Sequence, residues 1–201
     1  MENSIVKKYF GIRLGTHFRE KVFFRVSHPA FHTMIFLPIS IFLFVYAYLH
    51  SSMSIAWIGL LFFAGIILLY FSDYSLHRFV GHARSKKEFW KKIAHVHMIH
   101  HQYPKDVYYM QIPPVISLLL AGVYFSLLLL IFRNLYVVMF ISAGFNFFYV
   151  FYEWMHYGSH AFKAKSNWFK AMQKHHLAHH YKNPNKYYGV TTRFFDRLFN
   201  T

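Results

Sequence analysis

Apolar residues run along this chain in four long, nearly uncharged stretches, separated by polar, aromatic and basic segments. A helix needs about 20 apolar residues to cross a ~30 Å hydrocarbon core. Residues 30–49, 53–72, 115–132 and 135–152 meet that need. The first stretch is interrupted only by Pro38 and a few small polar groups, the second is the most apolar, and the last two carry no charge. Soluble hairpins would not sustain such runs. The pattern therefore predicts an all-α integral membrane fold with four transmembrane helices in two hairpins. Ser27 followed by Pro29 marks the start of the first helix, and Pro113-Pro114 that of the third.

The connections fix the topology. The first hairpin turns at His50–Ser52 and the second at Arg133 and Asn134 alone, so almost nothing protrudes on that side. One domain results, in five segments: an interfacial stretch 1–29, a hairpin 30–72, a His-rich segment 73–114, a hairpin 115–152 and a His-rich segment 153–201. The three segments outside the hairpins share one side of the membrane.

Charge then takes on a specific meaning. Of 22 Lys and Arg, the three same-side segments hold six, seven and eight, and only Arg133 lies opposite, against 7 acidic residues in all. Positive charge gathers on the cytoplasmic side of membrane proteins, and it suits anionic headgroups. Topology thus accounts for the basic balance without nucleic acid. Residues 1–29, with Lys7-Lys8-Tyr9-Phe10 and Lys21-Val22-Phe23-Phe24-Arg25, read as an interfacial amphipathic segment rather than a signal peptide. The absence of Cys excludes disulfides, thiolate zinc sites, iron–sulfur clusters and cysteine nucleophiles.

The chemistry lies in the histidines. Of 16, twelve fall in segments 73–114 and 153–201. They are grouped as His77 and His82, spaced by five; His97, His100 and His101; His156 and His160, spaced by four; and His176, His179 and His180. Residues three and four apart share a helix face, so each His-x-x-His-His presents three imidazoles in one direction, and His156 with His160 two more. A spacing of five does not share a face of a regular α-helix, and Gly81 offers a place to turn. Ten imidazoles exceed what one ion takes, so two ions are expected, held by these ten residues. His95 and His175 fall outside the pattern.

A carboxylate-bridged di-iron bundle needs two Glu-x-x-His motifs and two more Glu. Only Glu153 to His156 fits, so that architecture is excluded. Asp73, four before His77, and Glu153 are expected as outer acceptors that orient imidazole N–H groups. Imidazole suits iron, copper, nickel and zinc alike. Acyl chains beside the site offer only unactivated C–H bonds, which call for an oxidant. A metal transporter would need ligands through the bilayer, and the spans hold no acidic group and no His except His32 near one end.

These motifs resemble the fatty acid hydroxylase and sterol desaturase superfamily, and within it the fatty acid 2-hydroxylases. The narrower likeness rests on Leu76-His77-Arg78-Phe79, on His100-His101-Gln102-Tyr103-Pro104-Lys105-Asp106 with Pro113-Pro114, and on Tyr152-Glu153 through His156-Tyr157. His176 through Lys182, and Tyr188-Gly189-Val190-Thr191-Thr192-Arg193-Phe194 with Asp196 and Asn200-Thr201, extend it. The resemblance implies O2-dependent hydroxylation at C2 of a fatty acyl chain, free or on a ceramide or sphingolipid, by two iron ions on the ten histidines. Zinc, which outcompetes Fe²⁺ for nitrogen, would be able to occupy the site in purified protein. Another hydroxylase or desaturase of the superfamily, acting on a sterol or carotenoid, is the alternative.

Many relatives carry a fused cytochrome b5 domain, for which this chain has no room. Ala161 stands where relatives often have a further His. No dinucleotide or flavin motif occurs, so electrons are expected from a separate cytochrome b5, or a ferredoxin with its reductase. A bacterial inner membrane is favoured over the endoplasmic reticulum, with the metal domain cytoplasmic.

Overall fold

The computed structural model describes residues 28–201, and these are helical with no strands. Four helices are long and apolar enough to cross a membrane. They are α1 (Pro29–His50), α2 (Ile55–Leu76), which continues into a π-helical turn at His77–Gly81, α5 (Pro114–Phe132) and α6 (Leu135–Ala161). Between α2 and α5 lie α3 (Glu88–Gln102) and the short α4 (Val107–Met110). After α6 come α7 (Asn167–Tyr181) and α8 (Phe194–Leu198).

The helix ends follow local chemistry. His28 caps α1, its ring nitrogen accepting from the Ala30 N–H at 3.2 Å, and Pro29 occupies the first turn. The cap expected from Ser27, like the interfacial segment before it, lies outside the described residues. Ser54 caps α2, and Asn134 caps α6 by accepting from the Tyr136 and Val137 N–H groups at 3.0 and 3.2 Å. The two far-side turns span residues 51–54 and 133–134. Arg133 ends α5 in the left-handed region at φ 50°, where glycine is the usual occupant.

The central element is α6, which packs on α1, α2 and α5. Half of its apolar window is buried, against 6% for α5, which therefore presents most of its apolar surface outward. Its crossing with α2 brings backbone against backbone. A Cβ added at Gly65 would stand 1.9 Å from the Ile141 carbonyl oxygen, and one at Gly144 would stand 1.9 Å from that of Phe62. Such small-residue contacts are how membrane helices approach closely. Ser40 adds a buried bond to the Ala143 carbonyl at 2.8 Å, tying α1 to α6.

Polar bonds cluster where the helices leave the apolar windows. His32 Nε2 bonds the Ile112 carbonyl at 3.0 Å, and Gln111 donates to the Glu153 carbonyl at 2.9 Å. Trp154 donates to Thr33 at 2.9 Å. These fix the chain around α4 to the ends of α1 and α6. Both α2 and α6 run past the apolar windows read from sequence, and those extensions carry His77, His156 and His160. Deeper between the helices lies a cavity of 360 Å³, lined by Phe36, Leu43, Gly122, Leu128 and Phe145 and by the polar Ser142 and Asn146.

Candidate metal centre

The ten histidines stand in two groups of five. One comprises His77, His82, His97, His101 and His179, and the other His100, His156, His160, His176 and His180. Within each group the five ring nitrogens lie within 4.8 Å of one another. Each centre is assembled by the same recipe. An exiting membrane helix supplies a pair, one interfacial helix supplies two residues four apart, and the other interfacial helix supplies a single residue. The triplets thus do not each serve one direction. His97 and His101 of α3 join the first centre while His100 joins the second, and α7 sends His179 to the first and His176 and His180 to the second.

The five-residue spacing is met by a change of helix type. The His82 N–H bonds the His77 carbonyl at 3.1 Å, an i→i+5 bond that closes the π-turn. That wider turn brings His82 back over His77, and no free bend at Gly81 is required. Gly81 matters for space, since a Cβ there would come within 3.2 Å of the His97 ring.

In the first centre, the Nε2 atoms of His97, His82, His179 and His101 form a closed ring with sides of 3.1, 2.9, 3.1 and 3.1 Å, and His77 Nε2 lies 3.0 Å from that of His97. In the second, His156 and His100 are 3.2 Å apart, His176 and His160 2.8 Å, and His180 and His176 3.1 Å. Metal–imidazole bonds of about 2.0–2.1 Å put neighbouring nitrogens about 3.0 Å apart at right angles and about 3.4 Å apart at tetrahedral angles. The observed spacing fits an ion with five or six ligands better than a tetrahedral structural zinc. The rings of His101 and His180 stack with centroids 4.2 Å apart, so the two centres are neighbours.

Tautomers support the same reading. His77 Nδ1 contacts the Tyr188 carbonyl, and His179 Nδ1 contacts that of Lys186 at 2.7 Å. A carbonyl can only accept, so both Nδ1 atoms carry the hydrogen and both Nε2 atoms present bare lone pairs. A bare Nε2 lone pair is the form in which an imidazole meets a cation. Burial and then neighbouring imidazoles hold His97, His100 and His176 well below the usual imidazole range. Burial first brings His82 and His179 to about 4 and His101 to about 3. These rings are neutral near pH 7, the form that binds metal.

Asp73 and Glu153 lie close by but bond none of the ten imidazoles. Asp73 accepts from the Val190 N–H at 3.2 Å. Glu153 interacts with Tyr149 and lies 3.9 Å from His32. One oxygen of each is buried without a partner. The groups that do orient imidazoles of the two clusters are backbone carbonyls of residues 186 and 188, which leave no mark on a sequence. His175, outside the spacing pattern, bonds Asp196 at 2.9 Å. Ala161 ends α6 and contributes no donor.

Comparison with known proteins agrees with this geometry. The family model for fatty acid hydroxylases matches residues 62–201. A dihydroceramide fatty acyl 2-hydroxylase of Arabidopsis thaliana is 34% identical over 72% of this chain and 61% of its own length. A ceramide very long chain fatty acid hydroxylase of Schizosaccharomyces pombe is 28% identical over 84% and 49%, and the human fatty acid 2-hydroxylase 29% over 70% and 39%. The chain thus spans about half the length of the curated relatives it matches. The solved hydroxylase domain of full-length scs7p superposes with a TM-score of 0.82 at 27% identity, covering 96% of this chain and 70% of that one. With the family model matching well over half of its length, the chain belongs to the fatty acid hydroxylase family.

Proposed function

We propose that this chain is an O2-dependent hydroxylase that places a hydroxyl on C2 of a fatty acyl chain, free or carried by a ceramide or sphingolipid, using two iron ions. The ten Nε2 donors would hold those ions five and five, and Asp73 and Glu153 would tune the site from outside the ligand sets. When bound, the iron pair would supply the oxidising power that an unactivated C–H bond demands. One oxygen atom enters the product and the other leaves as water, at the expense of two electrons and two protons per turnover.

The observation that carries the reading is the depth of the histidines. His77 and His156 follow the apolar windows by five and four residues, which at 1.5 Å per residue is about 6–8 Å. A lipid headgroup is held at that same level, and C2 is the first chain carbon beyond the carbonyl. The acyl tail would remain between the helices, where the 360 Å³ cavity is within the size of small-molecule pockets, ~300–1,000 Å³. Mid-chain carbons would have to fold back out of the membrane to reach the same ions.

The basic residues support a cytoplasmic metal side, and we assign the chain to a bacterial inner membrane. Electrons would come from a separate carrier, a cytochrome b5 or a ferredoxin with its reductase. Lys86, Lys87 and Lys92 offer it a positively charged approach beside α3. The test is mass spectrometry of lipids from a host with and without the gene. We expect 2-hydroxy acyl species. New oxygen at C9 or C10, or on a sterol or carotenoid, would overturn the assignment.

A further inference from the structure

We propose that Asp196 is a positioning residue for the His77–His82–His97–His101–His179 centre, acting through the backbone of residues 186–190. The inference rests on the metal reading above.

That strap supplies the two carbonyls, Lys186 and Tyr188, that fix the His179 and His77 rings. It lies between α7 and α8 and belongs to neither helix nor strand, so something else must hold those carbonyls in place. Asp196 does so. Its Oδ1 accepts from the Tyr188 N–H at 2.9 Å, and its Oδ2 from the Gly189 N–H at 2.8 Å. Its other partners are His175 at 2.9 Å and the Thr201 hydroxyl at 2.8 Å. Four bonds match the four lone-pair sites of a carboxylate. Burial alone would raise the Asp196 pKa, but the bonds from His175, Gly189, Tyr188 and Thr201 prevail and hold it below the ordinary value.

Two details show that the arrangement is specific. A Cβ at Gly189 would stand 2.0 Å from the Thr192 carbonyl oxygen and 3.1 Å from Asp196 Oδ2, so only glycine lets the strap close on the carboxylate. His175 sits on α7 with His179, which makes one carboxylate brace both the ligand helix and the loop that orients its imidazole. In the other centre, three of the five rings have no such anchor among the described residues. The Nδ1 atoms of His100, His176 and His180 are buried without partners. Loss of Asp196 should therefore loosen one centre and spare the other.

The experiment uses the full chain purified in detergent and loaded with Zn²⁺, with bound metal counted by mass spectrometry across a chelator series. We expect the native chain to hold two ions. Asp196→Asn should release one of them at 10- to 100-fold lower chelator, the usual scale for losing an outer partner of a ligand, and keep the other at the native concentration. Thr201→Val, which leaves both N–H bonds to Asp196 intact, should shift the same ion in the same direction by less, and stands in if Asp196→Asn does not fold. Glu88→Gln, at an exposed carboxylate paired with Lys91, should match the native chain. Native release of both ions from Asp196→Asn, or equal loosening of both, would overturn the proposal. A native chain holding fewer than two ions would overturn the metal reading itself, and this inference with it.

Discussion

Gly144→Ala probes the crossing that sets the whole metal side. Its Cβ would stand 1.9 Å from the Phe62 carbonyl oxygen, and ordinary contact begins at 3.4 Å, so α2 and α6 must part by 3.4 minus 1.9, or 1.5 Å. The obstacle is backbone and cannot swing aside. Overpacking of this kind costs ~1–3 kcal/mol, and we take about 3. Replacing a helical glycine by alanine returns up to about 1 kcal/mol, leaving a net loss of about 2 kcal/mol, or about 4–8 °C in Tm for a chain of this length. Twelve residues separate Gly144 from His156, and twelve separate Gly65 from His77, so the crossing lies about 18 Å below both histidines. The parting is thus transmitted to one contributor to each centre. A displacement of ~1 Å at a reacting site can cost about 100-fold in rate, so turnover should fall by at least about that factor. The assays are thermal unfolding in detergent and product formation by mass spectrometry. Gly59→Ala, where a Cβ meets nothing within 4 Å, serves as the control and should match or slightly exceed native stability. A Gly144→Ala chain with native Tm and turnover would refute the close-crossing argument.

Other consequences can be checked directly. Although adjacent in sequence, His100→Ala and His101→Ala should each abolish hydroxylation but weaken different ions, which metal counting combined with the Asp196→Asn background would resolve; identical release profiles would contradict the five-and-five division. His17→Ala and His50→Ala should keep native activity, and equal loss there would undermine the ten-histidine assignment. Gly122→Leu, at a cavity wall where an added Cβ meets nothing within 4 Å, should shift the 2-hydroxy products to shorter acyl chains at native metal content, and an unchanged chain-length profile would remove the cavity from the substrate path.

How much of this is legible in the sequence depends on whether side chains or backbone do the work. The membrane helices are, because a bilayer demands a length of apolar residues that nothing else in the chain imitates. The convergence of the histidines is too, since spacings of three and four have one geometric meaning on a helix. The spacing of five carries no such meaning: His77 and His82 share a centre only because the helix widens into a π-turn, and helix propensities do not announce that. The split of each triplet between two centres depends on how α3 and α7 face each other, a tertiary fact. Asp73 is a fair case of partial vision. It lies in the right place, yet its carboxylate takes a backbone N–H of the strap instead of an imidazole. The strap's own contribution comes through carbonyl groups that every residue possesses, so no residue type marks it.

The far-side turns, at residues 51–54 and 133–134, are too short to build anything upon. Among the described residues, one surface of the membrane therefore sees little more than two tight turns that join four helix ends. It offers no platform for a docking protein and hardly a loop for a protease or an antibody. In the proposed reaction, substrate headgroup, electrons and metal would all reach the protein from the opposite surface, and a reporter attached after residue 201 would share that surface with them. On that reading, control by any soluble partner would be confined to the compartment that also feeds the reaction.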